Sequence, residues 1–202
     1  MKLMPLFYMP PLSWWHEFLD ENAEIVLEQY EHFPKQTYRN RTQIYGANGM
    51  LQLSIPIKHN GKRVYKDIEI SDNENWRSLH WKSIKIAYQT SPYFEFYESQ
   101  LNKIWDNDIQ NLMAFNLNAL EIIQGILKTN ASFKWSETYH KTIEGKDLRN
   151  DFSSKKPSEY EMPEYYQTFS DKLGFIKDLS ILDLICNKGP ESATYIKTIS
   201  RD

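Results

Sequence analysis

The sequence predicts an α+β fold, in which an N-terminal mixed, largely antiparallel sheet precedes a predominantly helical C-terminal half. Three observations predict it. The segment Gly46-Ala47-Asn48-Gly49 lies between two apolar-alternating runs, the pattern of a β-hairpin. After Ile70 the apolar period changes from two to 3.6. Helix-start signals then recur at Ser71–Glu74, Ser91-Pro92 and Ser180–Asp183.

In order along the chain, residues 1–8 read as a short buried strand and residues 12–22 as a helix carrying Trp14, Trp15, Phe18 and Leu19. Residues 24–30 read as a second strand. The hairpin strands span residues 37–45 and 50–57, with Leu51, Leu53, Ile55 and Ile57 on one face. Pro56 places the end of the second strand at an edge. His59-Asn60-Gly61 turns the chain into a further strand over 64–70. Helices follow over 75–90, from Ser91 onward, and over 109–128, the last with Ile109, Leu112, Met113, Leu120, Ile123 and Leu127 on one face. Residues 144–163 are polar and read as a surface loop or a lid. Gly189-Pro190 ends one helix and begins another.

A chain of 202 residues fits a single domain, 1–202, with residues 1–70 mainly strands and 71–202 mainly helical. One cysteine, Cys186, excludes an intrachain disulfide framework and a Cys-based zinc cluster. The apolar N-terminus is broken by Pro5, Pro10 and Pro11, which makes it a poor signal peptide, and no run of 18 apolar residues occurs. A cytoplasmic protein without metal or cofactor is expected. The net charge of −3 argues against general nucleic-acid binding.

Against that acidic balance stands a charge gap. From His32 to Lys66 there is no Asp or Glu, although roughly five would be expected at the chain's average. The same stretch holds Lys35, Arg39, Arg41, Lys58, Lys62, Arg63 and Lys66, a composition that favours a small anionic ligand such as a nucleotide sugar. Within it, Tyr38-Arg39-Asn40-Arg41 would place two guanidinium groups on one strand face about 7 Å apart, suited to a diphosphate or carboxylate pair. The competing reading is a strand face ion-paired to the acidic segment 20–31.

Two polar residues interrupt apolar stripes. His80 falls among Trp76, Leu79, Ile84 and Ala87, as a hydrogen-bonded core residue or a general base. Asn116 sits among Leu112, Met113, Leu120 and Ile123, as a buried cap or an orienting amide. Tyr8 and His16 flank a proline-rich turn after the first strand, a place where α/β folds open a cleft. No Gly-rich phosphate loop, Gly-x-Ser-x-Gly or His-Glu-x-x-His is present.

Several of these segments together resemble the WbqC-like family of bacterial proteins, in the form common in Bacteroides-type genomes. They are Glu31-His32, Tyr38-Arg39-Asn40-Arg41, Gly46-Ala47-Asn48-Gly49, Leu53-Ser54-Ile55-Pro56-Ile57, Trp76 with His80-Trp81, Ser91-Pro92-Tyr93-Phe94 and Leu179–Leu184 with Gly189-Pro190. The chain departs from many relatives at Phe7–Pro11, where they carry a Gln and an Asn-Tyr-x-Pro-Trp type segment, and at Tyr38, where they carry Trp. The resemblance implies a place in O-antigen or surface-polysaccharide biosynthesis, with glycyl or other acyl transfer. The family's chemistry assigns no residue roles; the residue reading itself gives a transferase in which Arg39, Asn40, Arg41 and Lys58 hold phosphates and His80 and Asn116 serve the chemistry. The alternative is a non-catalytic binding or assembly protein of the same pathway. Oligomeric state is left open.

Overall fold

The computed structural model describes residues 1–201. Both helices and strands are present, but the larger sheet is parallel rather than largely antiparallel. Strand β1 (Lys2–Pro5) leads through helix α1 (Leu12–Phe18) to β2 (Ile25–Glu28), and the two strands pair in parallel with Lys2 opposite Ile25. Two later short strands, β5 (Lys134–Trp135) and β6 (Lys146–Asp147), join on either side, giving the order β5-β2-β1-β6 with every pairing parallel. The run Ile25-Val26-Leu27 fits this position, because a parallel strand is buried on both faces and shows no alternation.

The hairpin forms as its turn chemistry dictates, between β3 (Arg41–Gly46) and β4 (Gly49–Ser54) with Gly46 opposite Gly49. Gly49 takes φ +103°, a conformation open to glycine but strained for L side chains. The hairpin stands apart from the parallel sheet. The expected strand over 64–70 is instead a single 3₁₀ turn at Tyr65–Asp67, with isolated bridges from Val64, Glu69 and Ile70 to neighbouring chain.

Helices α2 (Trp76–Tyr88), α3 (Phe94–Asn102) and α4 (Leu112–Leu127) form in the expected regions, although Leu79 of the α2 stripe faces solvent. The expected capping box at Ser71–Glu74 does not form. The Asp72 carboxylate instead accepts from Trp76 Nε1 at 3.1 Å and pairs with Arg77. Helix α4 is capped by Asn111, whose Oδ1 accepts from the Ala114 N–H at 2.9 Å. The C-terminal part holds β7 (Tyr160–Glu161), the short α5 (Ser170–Leu173), α6 (Ile181–Lys188), α7 (Ser192–Ile196) and β8 (Ser200–Arg201), with β7 and β8 antiparallel. Buried side chains from Met4 to Ile199 form one apolar cluster, with Trp14 stacked on Phe18 at 4.6 Å at its centre.

The polar segment 144–163 packs as a wall rather than a free loop. It supplies β6 and β7, buries Leu148 and Phe152, and is tied to the hairpin by Gln43 Nε2 donating to the Ser154 carbonyl at 3.1 Å.

Candidate functional site

Strands β1 and β6 are neighbours, yet the chain leaving β1 travels to β2 and β5 on the other side. Where loops part in this way at the carboxyl ends of parallel strands, a crevice opens that side chains cannot fill. In this molecule the crevice is a cleft of about 260 Å³. Ser13, at the start of α1 beyond β1, forms one side, and Asn150–Ser153, beyond β6, form the other. Tyr38, Lys156, Ser158, Glu159, Tyr160, Asp178 and Arg201 complete the lining.

Asp178 is one of the acidic residues that line this cleft. It is half-buried on a left-handed backbone (φ +59°), and the Ser13 N–H donates to its Oδ1 at 2.8 Å. The protein packed around its carboxyl pushes the pKa up to about 6, against hydrogen bonds from Ser158 and Ser13 that pull it down. A carboxyl poised there exchanges a proton readily near neutral pH. Strained backbone of this kind is held only where the surrounding structure fixes it.

The opposite wall is a chain of polar contacts. Tyr160 donates to Glu17 Oε1 at 2.7 Å and accepts from Arg201 Nη1 at 3.3 Å. Burial would raise the Glu17 pKa, but hydrogen bonds from Lys146, Lys2 and Tyr160 hold it at about 2. Arg201 also pairs with Asp151 at 2.6 Å and Glu159 at 2.8 Å. Lys156 stands exposed and in no ion pair among the described residues. Carboxylates, hydroxyls and two cations in so small a space suit a hydroxyl-rich, mixed-charge ligand.

The residues singled out from sequence fall elsewhere. Arg39 lies in a turn before β3 and is 2% exposed. Its Nε and Nη2 donate to the two Glu31 oxygens at 2.5 and 2.7 Å, and Nη2 also reaches the Arg149 carbonyl at 3.1 Å. This fork is taken up by the acidic segment rather than turned toward a ligand. Arg41 opens β3, so the two arginines do not share a strand face. Asn40 Nδ2 donates to the Ile55 carbonyl at 2.9 Å.

His80 is buried in α2, with Nδ1 2.8 Å from Tyr8 Oη. Trp105 Nε1 donates to that same oxygen at 2.9 Å, which leaves the Tyr8 hydroxyl proton for His80. Burial pushes the His80 pKa down to about 4 despite a bond to the Ser54 backbone, so the imidazole is neutral at pH 7. Asn116 is fully buried, donating to the Arg39 carbonyl and to Tyr65 Oη, each at 2.7 Å. His80, Tyr8 and Asn116 thus make their hydrogen bonds in the interior. His16 lies at a separate surface cleft with Lys2, Asp20 and Lys197.

Lys58 is the exception. It lines a second cleft of about 410 Å³ into which the acid-free stretch folds, together with Lys35, Lys62 and Arg63.

The model of the WbqC-like protein family matches residues 7–155. The chain belongs to that family. Among curated proteins, the uncharacterized protein Rv1507c of Mycobacterium tuberculosis is similar, 23% identical over 218 residues that cover 91% of this chain and 93% of its own length. No solved structure matches. The family match takes in Ser13, Tyr38 and Asn150–Ser153 of the WbqC-like cleft, whereas Asp178 and Arg201 lie beyond it. No helix among the described residues is long and apolar enough to cross a membrane, and none of their His, Cys, Asp and Glu side chains form a metal-holding group of three or more.

Reading the WbqC-like sequence residue by residue missed Ser13, Asp178, Tyr160 and Arg201. The proline-rich turn follows β1 and leads to Ser13 at the cleft, but Tyr8 and His16, the residues singled out beside it, do not line that cleft. Nothing local marks Asp178, because its partners are 165 residues away at Ser13 and 20 residues away at Ser158.

Proposed function

We propose that the chain is a transferase of O-antigen or surface-polysaccharide biosynthesis, moving an acyl or aminoacyl group onto an amino sugar carried by a nucleotide. One observation carries this reading: Asp178, with a pKa near 6, sits beside Ser13 in the crevice at the carboxyl ends of β1 and β6. The hydroxyls of Ser13, Ser158 and Tyr38 suit the sugar, and Arg201 and Lys156 suit negative charge on the substrate. Asp178 would accept the proton shed by the amine as its nitrogen attacks the donor carbonyl. The amide bond forms as the donor's leaving group departs with the bonding electron pair. Such transfer needs proximity and a base rather than a protein nucleophile.

The test is incubation with nucleotide-linked amino sugars and activated acyl or aminoacyl donors, with N-acylated product read by mass spectrometry. Asp178→Asn should lower kcat by about a hundredfold or more while substrate still raises the melting temperature. Wild-type activity should rise with pH through about 6. Turnover by Asp178→Asn at the wild-type rate would sink the reading.

A second reading, a non-catalytic assembly protein of the same pathway, is favoured by large apolar side chains left in solvent. Leu79 and Ile86 on α2 and Phe96 on α3 are 57%, 58% and 73% exposed.

A further inference from the structure

We propose that the second cleft is a separate binding site for a nucleoside diphosphate. It is built from the segment after β2 and the loop that leads from β4 to the 3₁₀ turn. Lys35, Lys58, Lys62 and Arg63 line it, and no carboxylate is among its lining residues. One acid touches this set from outside: Glu69 pairs with Lys58 at 3.2 Å and also with Lys62. Lys35 and Arg63 are exposed and take part in no ion pair among the described residues. The cleft therefore keeps unmatched positive charge in a chain whose net charge is −3. Four cations converging from two segments are what a diphosphate requires, and the Arg63 fork matches phosphate oxygens in pairs.

The cleft also has an apolar wall, formed by Phe33, Ile57 and Ile68. Phe33 is half-buried, its ring packed at 5.7 Å against that of Tyr65. A flat ring carried on the diphosphate finds there the surface that inorganic phosphate does not use. At about 410 Å³ the space is in the range of nucleotide-sized ligands. Its confinement to one pocket of an acidic protein argues for a small anion over a polyanion. The assignment rests on charge and shape at this cleft, and holds whether or not the crevice containing Asp178 is catalytic.

Titration calorimetry on the full chain tests it, with uridine diphosphate, adenosine diphosphate and pyrophosphate as probes. At least one nucleoside diphosphate should bind, and more tightly than pyrophosphate. Arg63→Ala should weaken it about tenfold, the loss of one charge-assisted contact. Because Arg63 is exposed, that variant should keep the wild-type melting temperature, and Arg63→Lys should recover part of the affinity. Glu69→Ala frees Lys58 and Lys62 and should tighten binding about threefold or more. Asp178→Asn should leave affinity unchanged, which separates this site from the proposed reaction. Three results would overturn the proposal: no heat from any diphosphate at millimolar concentration, pyrophosphate binding as tightly as the nucleotides, or loss of binding in Asp178→Asn but not in Arg63→Ala. Tighter binding of single-stranded oligonucleotides with increasing length would replace it with a nucleic-acid surface.

Discussion

Removing the Arg39 side chain strands the Glu31 carboxylate in the interior, where both partners are almost wholly shielded from water. An unpaired buried charge is far more costly than an absent ion pair, so Arg39→Ala should destabilise the fold by about 3–5 kcal/mol. Replacing both residues by apolar ones of similar volume should lose much less. Urea unfolding of the two variants separates a structural ion pair from a ligand-binding arginine, since the second would leave stability nearly untouched. Asp183 carries a prediction of the opposite electrostatic kind. It is fully buried, accepts from Tyr165 Oη at 2.6 Å and Gln167 Nε2 at 2.9 Å, and burial raises its pKa from 3.8 to about 6 despite those bonds. The folded state therefore holds this proton more tightly than the unfolded chain. The stabilisation is complete below pH 3.8 and is lost as pH rises through about 6. Melting temperatures measured from pH 4 to 7 should show Asp183→Asn gaining on the wild type as pH increases. A constant gap across that range would show that Asp183 does not titrate there.

At the scale of elements, turns and helices were legible where their causes are local. The hairpin follows from glycines that fix its turn, and α2 and α4 from stripes that repeat every three or four residues. Gly189, read as a helix terminator, has a further reason to be glycine. Its φ is +54°, and a Cβ there would lie 2.4 Å from the Tyr93 ring at the start of α3. The Tyr93 N–H also donates to the Cys186 carbonyl of α6 at 2.9 Å, which ties the backbone carrying that ring to α6. Gly189→Ala should accordingly destabilise by about 1–3 kcal/mol, from backbone strain and the displaced ring together. Thermal melts will check this, and a loss below a few tenths of a kcal/mol would mean that α3 and α6 can separate freely. Elements were misread where tertiary partners override the local pattern. The alternation over 64–70 looks like a strand, but the Tyr65 hydroxyl is drawn into the core to donate to the Leu6 carbonyl at 2.8 Å, and the backbone closes into a 3₁₀ turn.

At the scale of the whole molecule, the sequence by itself determined the α+β class, the hairpin and the main helices. It also determined the excess of basic residues over 32–66, four of which line one cleft. Those properties depend on residues a few positions apart, and neighbouring side chains are enough to specify them. Only the tertiary structure decided that the main sheet is parallel, because β5 and β6 are two residues long and have no pattern of their own. It alone decided that Arg39, His80 and Asn116 turn inward, where partners from distant segments satisfy their polar atoms. The crevice that brings Ser13 to Asp178 arises the same way. It exists because β1 and β6 lie side by side, and a pairing between strands separated by more than a hundred residues leaves no mark on either stretch read alone.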